Sequence, residues 1–232
     1  MIKEKIDEFR YGKIINNISR EEYLEFKNVN DAEEWGKTHY LSWSEEYKSN
    51  MNITKKVITD SGITSIIEYY CGYSYREINE YLRFSRDNEY NYAKNMATIL
   101  AVMLSMAPRV PNNVVAYRLV CDDFIRSLIE NNKKEIPTVE KGFISTSLVK
   151  GIVNSDEAYS DHNNLLKIYV PKHTVGIYVN GIVKRTEQEL LLFPNGYFRL
   201  IKKPYNEGNK RVYECELFYF WFHYMEKYNS IK

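Results

Sequence analysis

Glu187 and Glu189 stand one residue apart at the mouth of the apolar run Leu190-Leu191-Leu192. A β-strand turns alternate side chains to the same face, so this spacing predicts two carboxylates pointing the same way. Like charges held that close resist joint ionisation unless something cationic lies between them. Most such triplets are solvated strand faces, but a site that handles a cation or a cationic transition state is served by the same arrangement. Two upstream segments add to the pair. Phe143-Ile144-Ser145-Thr146-Ser147 reads as a strand ending in hydroxyls, and Val114-Val115-Ala116-Tyr117-Arg118 reads as a strand carrying an arginine.

The elements that must position these groups follow from periodicity. The first hundred or so residues read as helical. One helix starts at Asn30-Asp31, a capping residue and an acidic first turn. A second is expected from about Thr54, and a third from Gly72 through Arg83. A fourth, Tyr92 to Met106, has Ala93, Met96, Ala97, Leu100, Ala101 and Leu104 in a helical stripe and stops before Pro108. Short strands are expected afterwards at Val114–Val120, Lys141–Ser147, Leu165–Val170, Gly176–Val179, Glu187–Phe193 and Tyr197–Ile201. Arg211–Phe222 reads as a long aromatic strand with Glu214 and Glu216 on one face. The expected fold class is α+β, with a helical N-terminal lobe packed on a mostly antiparallel two-sheet β core. One domain is expected across 1–232, the lobe spanning about 1–108 and the core about 109–232.

Bulk composition narrows the function classes. A chain of 232 residues with 32 basic and 31 acidic side chains has no dominant charge. It therefore shows no electrostatic signature of a nucleic-acid or anionic-membrane binder. Cys71, Cys121 and Cys215 are odd in number and scattered, as are His39, His162, His173 and His223, which argues against a disulfide scaffold or a zinc site. Met1-Ile2-Lys3-Glu4-Lys5-Ile6-Asp7 has no apolar signal-peptide core, and no run has the length of a membrane span.

An arginine within a strand, a Ser-Thr-Ser and a Glu-x-Glu in that order resemble the mono-ADP-ribosyltransferase toxins of the arginine–serine–glutamate class. The likeness is to the enzymatic components of clostridial actin-modifying binary toxins and to the single-domain Rho-modifying exoenzymes. It extends beyond the triad. Asp31-Ala32-Glu33-Glu34-Trp35-Gly36-Lys37 with Tyr40 looks like that family's opening helix. Tyr75-Arg76-Glu77-Ile78-Asn79-Glu80-Tyr81-Leu82 looks like its Tyr-x-x-Ile-Asn-x-x-Leu helix, and Ile168-Tyr169-Val170-Pro171-Lys172 followed by Gly176 looks like the strand before its recognition loop.

The resemblance implies an ADP-ribosyltransferase fold and NAD as co-substrate, bound without a GxGxxG or a P-loop. Loss of nicotinamide builds positive charge at the ribose, as in glycoside hydrolysis, and a nearby carboxylate stabilises it. By resemblance that carboxylate is Glu189, with Ser145 fixing its rotamer. Glu187 takes the position that selects the acceptor. A glutamate there suits a guanidinium, whereas the Rho-modifying branch has glutamine and modifies asparagine. Arg118 would hold an NAD phosphate or the adjoining ribose. Tyr70, Asn79 and Arg83 would contact NAD from the helical lobe, and Tyr159 would stack on nicotinamide in the loop Leu148 to Asn164. A mid-helix Asn79 lowers helix propensity, which marks it as functional.

Two departures stand out. The loop holds no arginine near His162, leaving Lys150 or His162 as substitutes. Val183-Lys184-Arg185-Thr186 replaces the aromatic residue expected before the first acid, so Lys184 and Arg185 are expected to favour an acidic target surface. The expected partners are NAD+, a host protein offering arginine, with actin as a candidate, and a separate translocation component. Nucleic acid and a membrane span are not expected, and the protein is expected to be secreted or delivered into a host cell. An NAD glycohydrolase and a non-catalytic adaptor domain of the same fold are the alternatives. The retained Arg118, Ser145, Glu187 and Glu189 weigh against the adaptor.

Overall fold

The computed structural model describes residues 2–16, 18–49, 56–59, 62–85, 92–153 and 162–220. Helix α1 (Ile2–Tyr11) precedes α2 (Val29–Ser49), which begins one residue before the expected start. The helix expected from Thr54 is instead an antiparallel hairpin, β1 (Lys56–Thr59) and β2 (Gly62–Ser65). Val57, Ile58, Ile63 and Thr64 are β-branched and favour extended backbone, and Asp60-Ser61-Gly62 has turn composition. Ser65 then caps α3 (Ile66–Tyr69) in a reciprocal capping box with Glu68. The helical path breaks at Gly72, where ψ is −117°, and resumes as α4 (Tyr75–Phe84). Helix α5 (Tyr92–Met106) follows and ends before Pro108, as the stripe predicts.

Strands β3 (Val114–Val120), β4 (Thr138–Glu140), β5 (Ile144–Ser147), β6 (Asn164–Val170), β7 (Gly176–Tyr178), β8 (Glu189–Leu192), β9 (Gly196–Leu200), β10 (Tyr205–Glu207) and β11 (Lys210–Phe218) make the core. Helices α6 (Asp122–Lys133) and α7 (Lys150–Val153) lie between them. Helices α6 and α7 and strands β4 and β10 are additions to the expected elements. Residues 221 and 222 of the expected last strand lie outside the described residues.

The two-sheet expectation is corrected: these nine strands form one mixed sheet in the order β4-β9-β11-β6-β3-β5-β8-β7, with β10 on β11. All pairings are antiparallel except β11 with β6. The halves meet through a single pair, Tyr117 opposite Ser147. Beyond it β3 and β5 share no register, and Arg118 lies next to this joint.

Alternation divides the core. On β3, Val114, Ala116 and Val120 face the main cluster shared with the helices, while Val115 and Tyr117 join a smaller cluster on the other face. Arg118 has the parity of the first set and so faces the helical side. Strand β8 lies between β5 and β7, and Leu190, Leu191 and Leu192 are all fully buried. An interior strand buries both faces, which explains the unbroken apolar run. Because both faces are apolar, a one-residue slip costs most where it would carry the Glu189 carboxylate into the core, where an unpaired charge is expensive. The start of that strand, Glu189, is thereby locked in place.

Close approach of α2 to β7 depends on Gly36. A Cβ there would lie 2.2 Å from the ring of Tyr178, whose hydroxyl bonds Gln188 next to Glu189. Gly36→Ala is therefore expected to lower stability by about 1–3 kcal/mol through overpacking. Chemical denaturation will show this as a reduced midpoint with an unchanged slope.

Candidate active site

Glu189 is buried, and its two oxygens are separately engaged. The Ser145 hydroxyl donates to Oε1 across the β5–β8 ladder. The Cys71 thiol lies 3.8 Å from Oε2, and an Arg185 nitrogen lies at the same distance from that oxygen. Burial dominates the titration and raises the Glu189 carboxyl above its ordinary value. Ser145, Arg185 and Cys71 oppose that rise, while Glu187 adds to it. Burial, and then Glu189, push the Cys71 thiol well up, so it remains a neutral donor rather than a nucleophile.

Glu187 reaches the same cleft by a route the alternation rule does not describe. Strand β8 begins only at Glu189, and Gln188 has a left-handed backbone with φ of 50°. Such a residue costs roughly 1–2 kcal/mol unless its surroundings hold it. Here Tyr178 donates to its side chain, and the Leu148 N–H donates to its carbonyl at 3.0 Å. The Ser147 hydroxyl also lies 2.8 Å from the Glu187 carbonyl. Thus Ser147, like Ser145, supports the acidic segment.

Between the two carboxylates lies the cation that their spacing demands. One Arg185 nitrogen is 2.9 Å from Glu187 and 3.8 Å from Glu189, and the other terminal nitrogen donates to the Cys71 carbonyl. This corrects the expectation that Arg185 faces a target surface: it turns inward, whereas Lys184 is exposed. Asn180 closes the loop, donating to the Arg185 carbonyl at 2.7 Å and accepting from the Glu189 N–H at 3.1 Å. Sequence reasoning passed over Asn180 and placed Arg185 on the outside. The Asn180-Gly181 turn pair and the demand for a cation between the acids were the available signals.

Arg118 stands on the opposite wall. Its Nη2 is 3.9 Å from Glu140, and its buried Nη1 has no hydrogen-bond acceptor among the described residues. A buried guanidinium nitrogen is costly to leave unpaired, and an anionic ligand in the cleft would supply its acceptor. Glu140, absent from the sequence-based set, orders this wall. It takes both bonds of the Arg83 fork at 2.8 and 2.9 Å and accepts from the Gly142 N–H at 2.8 Å. Burial alone would raise its carboxyl, but Arg83, Arg118 and Gly142 outweigh that effect and hold it below the ordinary value. Arg83 is thus committed to Glu140 and does not line the cleft.

Asn79 has a structural return that its position in a helix did not reveal. Its amide donates to the Tyr70 hydroxyl at 3.0 Å and accepts from the Phe143 N–H at 2.8 Å. Glycine at 142 makes this possible, since a Cβ there would lie 2.7 Å from the Asn79 oxygen. Tyr70 is itself buried edge-on against Phe143. Together they fasten α4 to the start of β5.

The resulting cleft has a volume of about 850 Å3, within the range of ligand pockets. Tyr70, Asn79, Arg118, Ser145, Glu187 and Glu189 all line it, as do Arg76, His162 and Arg185. Of the two substitutes for the loop arginine, His162 lines the cleft, while Lys150 is paired with Glu207. Tyr159 lies outside the described residues. The described residues hold no group of three or more potential metal ligands.

Residues 32–213 match the ADP-ribosyltransferase exoenzyme family, and the chain belongs to it. Among solved structures, the ADP-ribosylating toxin BECa of a C. perfringens binary enterotoxin, solved with NADH, is 20% identical at a TM-score of 0.65. That match covers 84% of this chain and 50% of BECa, so the chain spans about half the length of that protein. Plx2a, an ADP-ribosyltransferase toxin from Paenibacillus larvae, is 20% identical at a TM-score of 0.63, covering 85% of this chain and 100% of Plx2a. C3stau2 from S. aureus, solved with NAD, is 20% identical at a TM-score of 0.60, covering 85% of this chain and 99% of C3stau2. At these identities the likeness shows the fold: helices followed by a single mixed, mostly antiparallel sheet. No curated protein matches the chain.

Two titrations follow from this geometry. Ser145→Ala removes a bond that stabilises ionised Glu189, so the Glu189 carboxyl is expected to titrate still higher than in the parent. Carboxyl-carbon NMR titration of the two proteins checks the direction. Glu140 has the opposite sign. Its stabilisation is present above its unfolded value, about 4.3, and is lost as pH falls through its lower folded value. Glu140→Gln is expected to flatten the acid limb of the stability curve, measured by denaturant midpoints across that range.

Proposed function

We propose that this chain transfers ADP-ribose from NAD+ to an arginine of a target protein, releasing nicotinamide. The observation that supports arginine is the guanidinium of Arg185 seated between Glu187 and Glu189, since a site that holds one guanidinium there suits another.

In this reading Glu189 is the catalytic carboxylate. Ionised, it opposes the positive charge that grows at the ribose as nicotinamide departs. Ser145 holds it in the required rotamer and favours its charged form. Glu187 orients the acceptor guanidinium and accepts its proton. Arg118, with a buried nitrogen that has no acceptor among the described residues, is suited to a phosphate oxygen of NAD. Arg76 and His162 add positive or donor groups to the same cleft, and Tyr70 and Asn79 line its helical side. Arg83 serves through Glu140 by fixing Arg118. We place these functions in one catalytic domain spanning the described helices and sheet.

The acceptor is proposed to be a host protein, with actin the candidate that the resemblance implies. BECa belongs to a binary enterotoxin, so a separate translocation component is part of the proposal, as is secretion or delivery into a host cell. No helix among the described residues is long and apolar enough to cross a membrane.

Glu189→Gln is expected to lower NAD turnover by about 10²-fold or more. Glu187→Gln is expected to lose transfer to the guanidine agmatine while still hydrolysing NAD. Mass spectrometry of the acceptor and chromatography of released nicotinamide separate the two losses. Parental NAD turnover in Glu189→Gln would refute the assignment, and a modified asparagine in a treated lysate would refute the acceptor.

A further inference from the structure

The cation between the two carboxylates belongs to the chain itself. Arg185 is the residue whose guanidinium reaches both Glu187, at 2.9 Å, and Glu189, at 3.8 Å. Its backbone is held by Asn180, and its second terminal nitrogen is held by the Cys71 carbonyl. The side chain is 23% exposed and lines the cleft, so a co-substrate entering the cleft meets it. The other cleft arginines are differently placed: Arg118 lies beside Glu140, and the Arg76 Nε donates to Tyr75 at 3.1 Å.

We propose that Arg185 is a self-modification site, the chain's own acceptor of ADP-ribose. This rests on the arginine-transferase reading above and adds a residue to it. The C–N bond between the ribose anomeric carbon and nicotinamide breaks, and its electron pair leaves with nicotinamide, which becomes neutral. The Arg185 guanidinium gives one proton to Glu187, and the freed nitrogen lone pair forms a new C–N bond to the anomeric carbon. Glu187 passes the proton to water. NAD+ and Arg185 thus become ADP-ribosyl-Arg185, nicotinamide and one proton, with no oxidant or reductant required. A tethered and oriented nucleophile has a high effective concentration, so the reaction needs no second protein.

The test uses the full chain with NAD+ and no other protein, beside a parallel reaction containing agmatine. Intact mass followed by peptide mapping is expected to show one ADP-ribose per chain on Arg185. Because the step is intramolecular, the fraction labelled per unit time is expected to be unchanged when the protein is diluted roughly tenfold. Label on other residues only, or a fractional rate that falls with dilution, would overturn the inference. Modified agmatine beside an unlabelled chain would overturn it while leaving the arginine-transferase reading intact. Failure to modify either would overturn both.

Discussion

A carboxylate buried at the first residue of a core strand is the constraint around which this molecule is organised. Water reaches little of Glu189, so the protein must supply most of its solvation. Each of its oxygens is approached by groups from separate parts of the chain: Ser145 from β5, Cys71 from the break after α3, and Arg185 from the loop before β8. Its own N–H is taken by Asn180. Of these partners, Arg185 and Asn180 come from the segment just before Glu189, whereas Ser145 and Cys71 are distant in sequence. The helical segment, strand β5 and the loop before β8 must therefore all be in place before the carboxylate is satisfied.

The opposite wall meets a complementary demand. Arg118 brings positive charge to the helical face of β3, and Glu140 balances it while also binding the Arg83 fork. Paired buried charges hold their partners in one geometry, because releasing either leaves the other uncompensated. Asn79 and Gly142 add neutral bonds at the same seam. One wall thus ends in a cationic nitrogen with no acceptor among the described residues, and the other in two carboxylates. The joint of the sheet lies between them, where Tyr117 and Ser147 form the last shared pair of β3 and β5. A ligand with anionic phosphates at one end and a cationic reacting centre at the other matches that polarity. NAD+ has this character.

Much of the fold was legible because it depends on short-range pattern. The stripe from Ala93 to Leu104 and the strands around Val114, Leu165 and Leu190 were readable from periodicity alone. The hairpin at Lys56–Thr59 and Gly62–Ser65 was obscured by the helical character of its surroundings, although its β-branched residues carried the signal. Whether the strands form one sheet or two rests on a single pair, Tyr117 with Ser147, which no local pattern encodes. Asn79 is the instructive case within the site. Its low helix propensity pointed to a function, whereas the structure shows bonds to Tyr70 and Phe143 that only packing creates.

By itself the sequence determined the chemical types at the site: an arginine, paired hydroxyls and two acids in a set order. Residue identity and chain order are written in the primary structure, and they suffice for the family. Tertiary structure decided how those groups are used. It placed Arg185 between the acids rather than outside, made Glu140 the support of Arg118, and spent Arg83 on that support. It also replaced the alternation of a strand with a left-handed turn at Gln188, so that Glu187 enters the cleft from a loop. These outcomes depend on long-range electrostatic pairing and buried hydrogen bonds. Their energies are set by partners distant in the chain, and spacing alone cannot specify them.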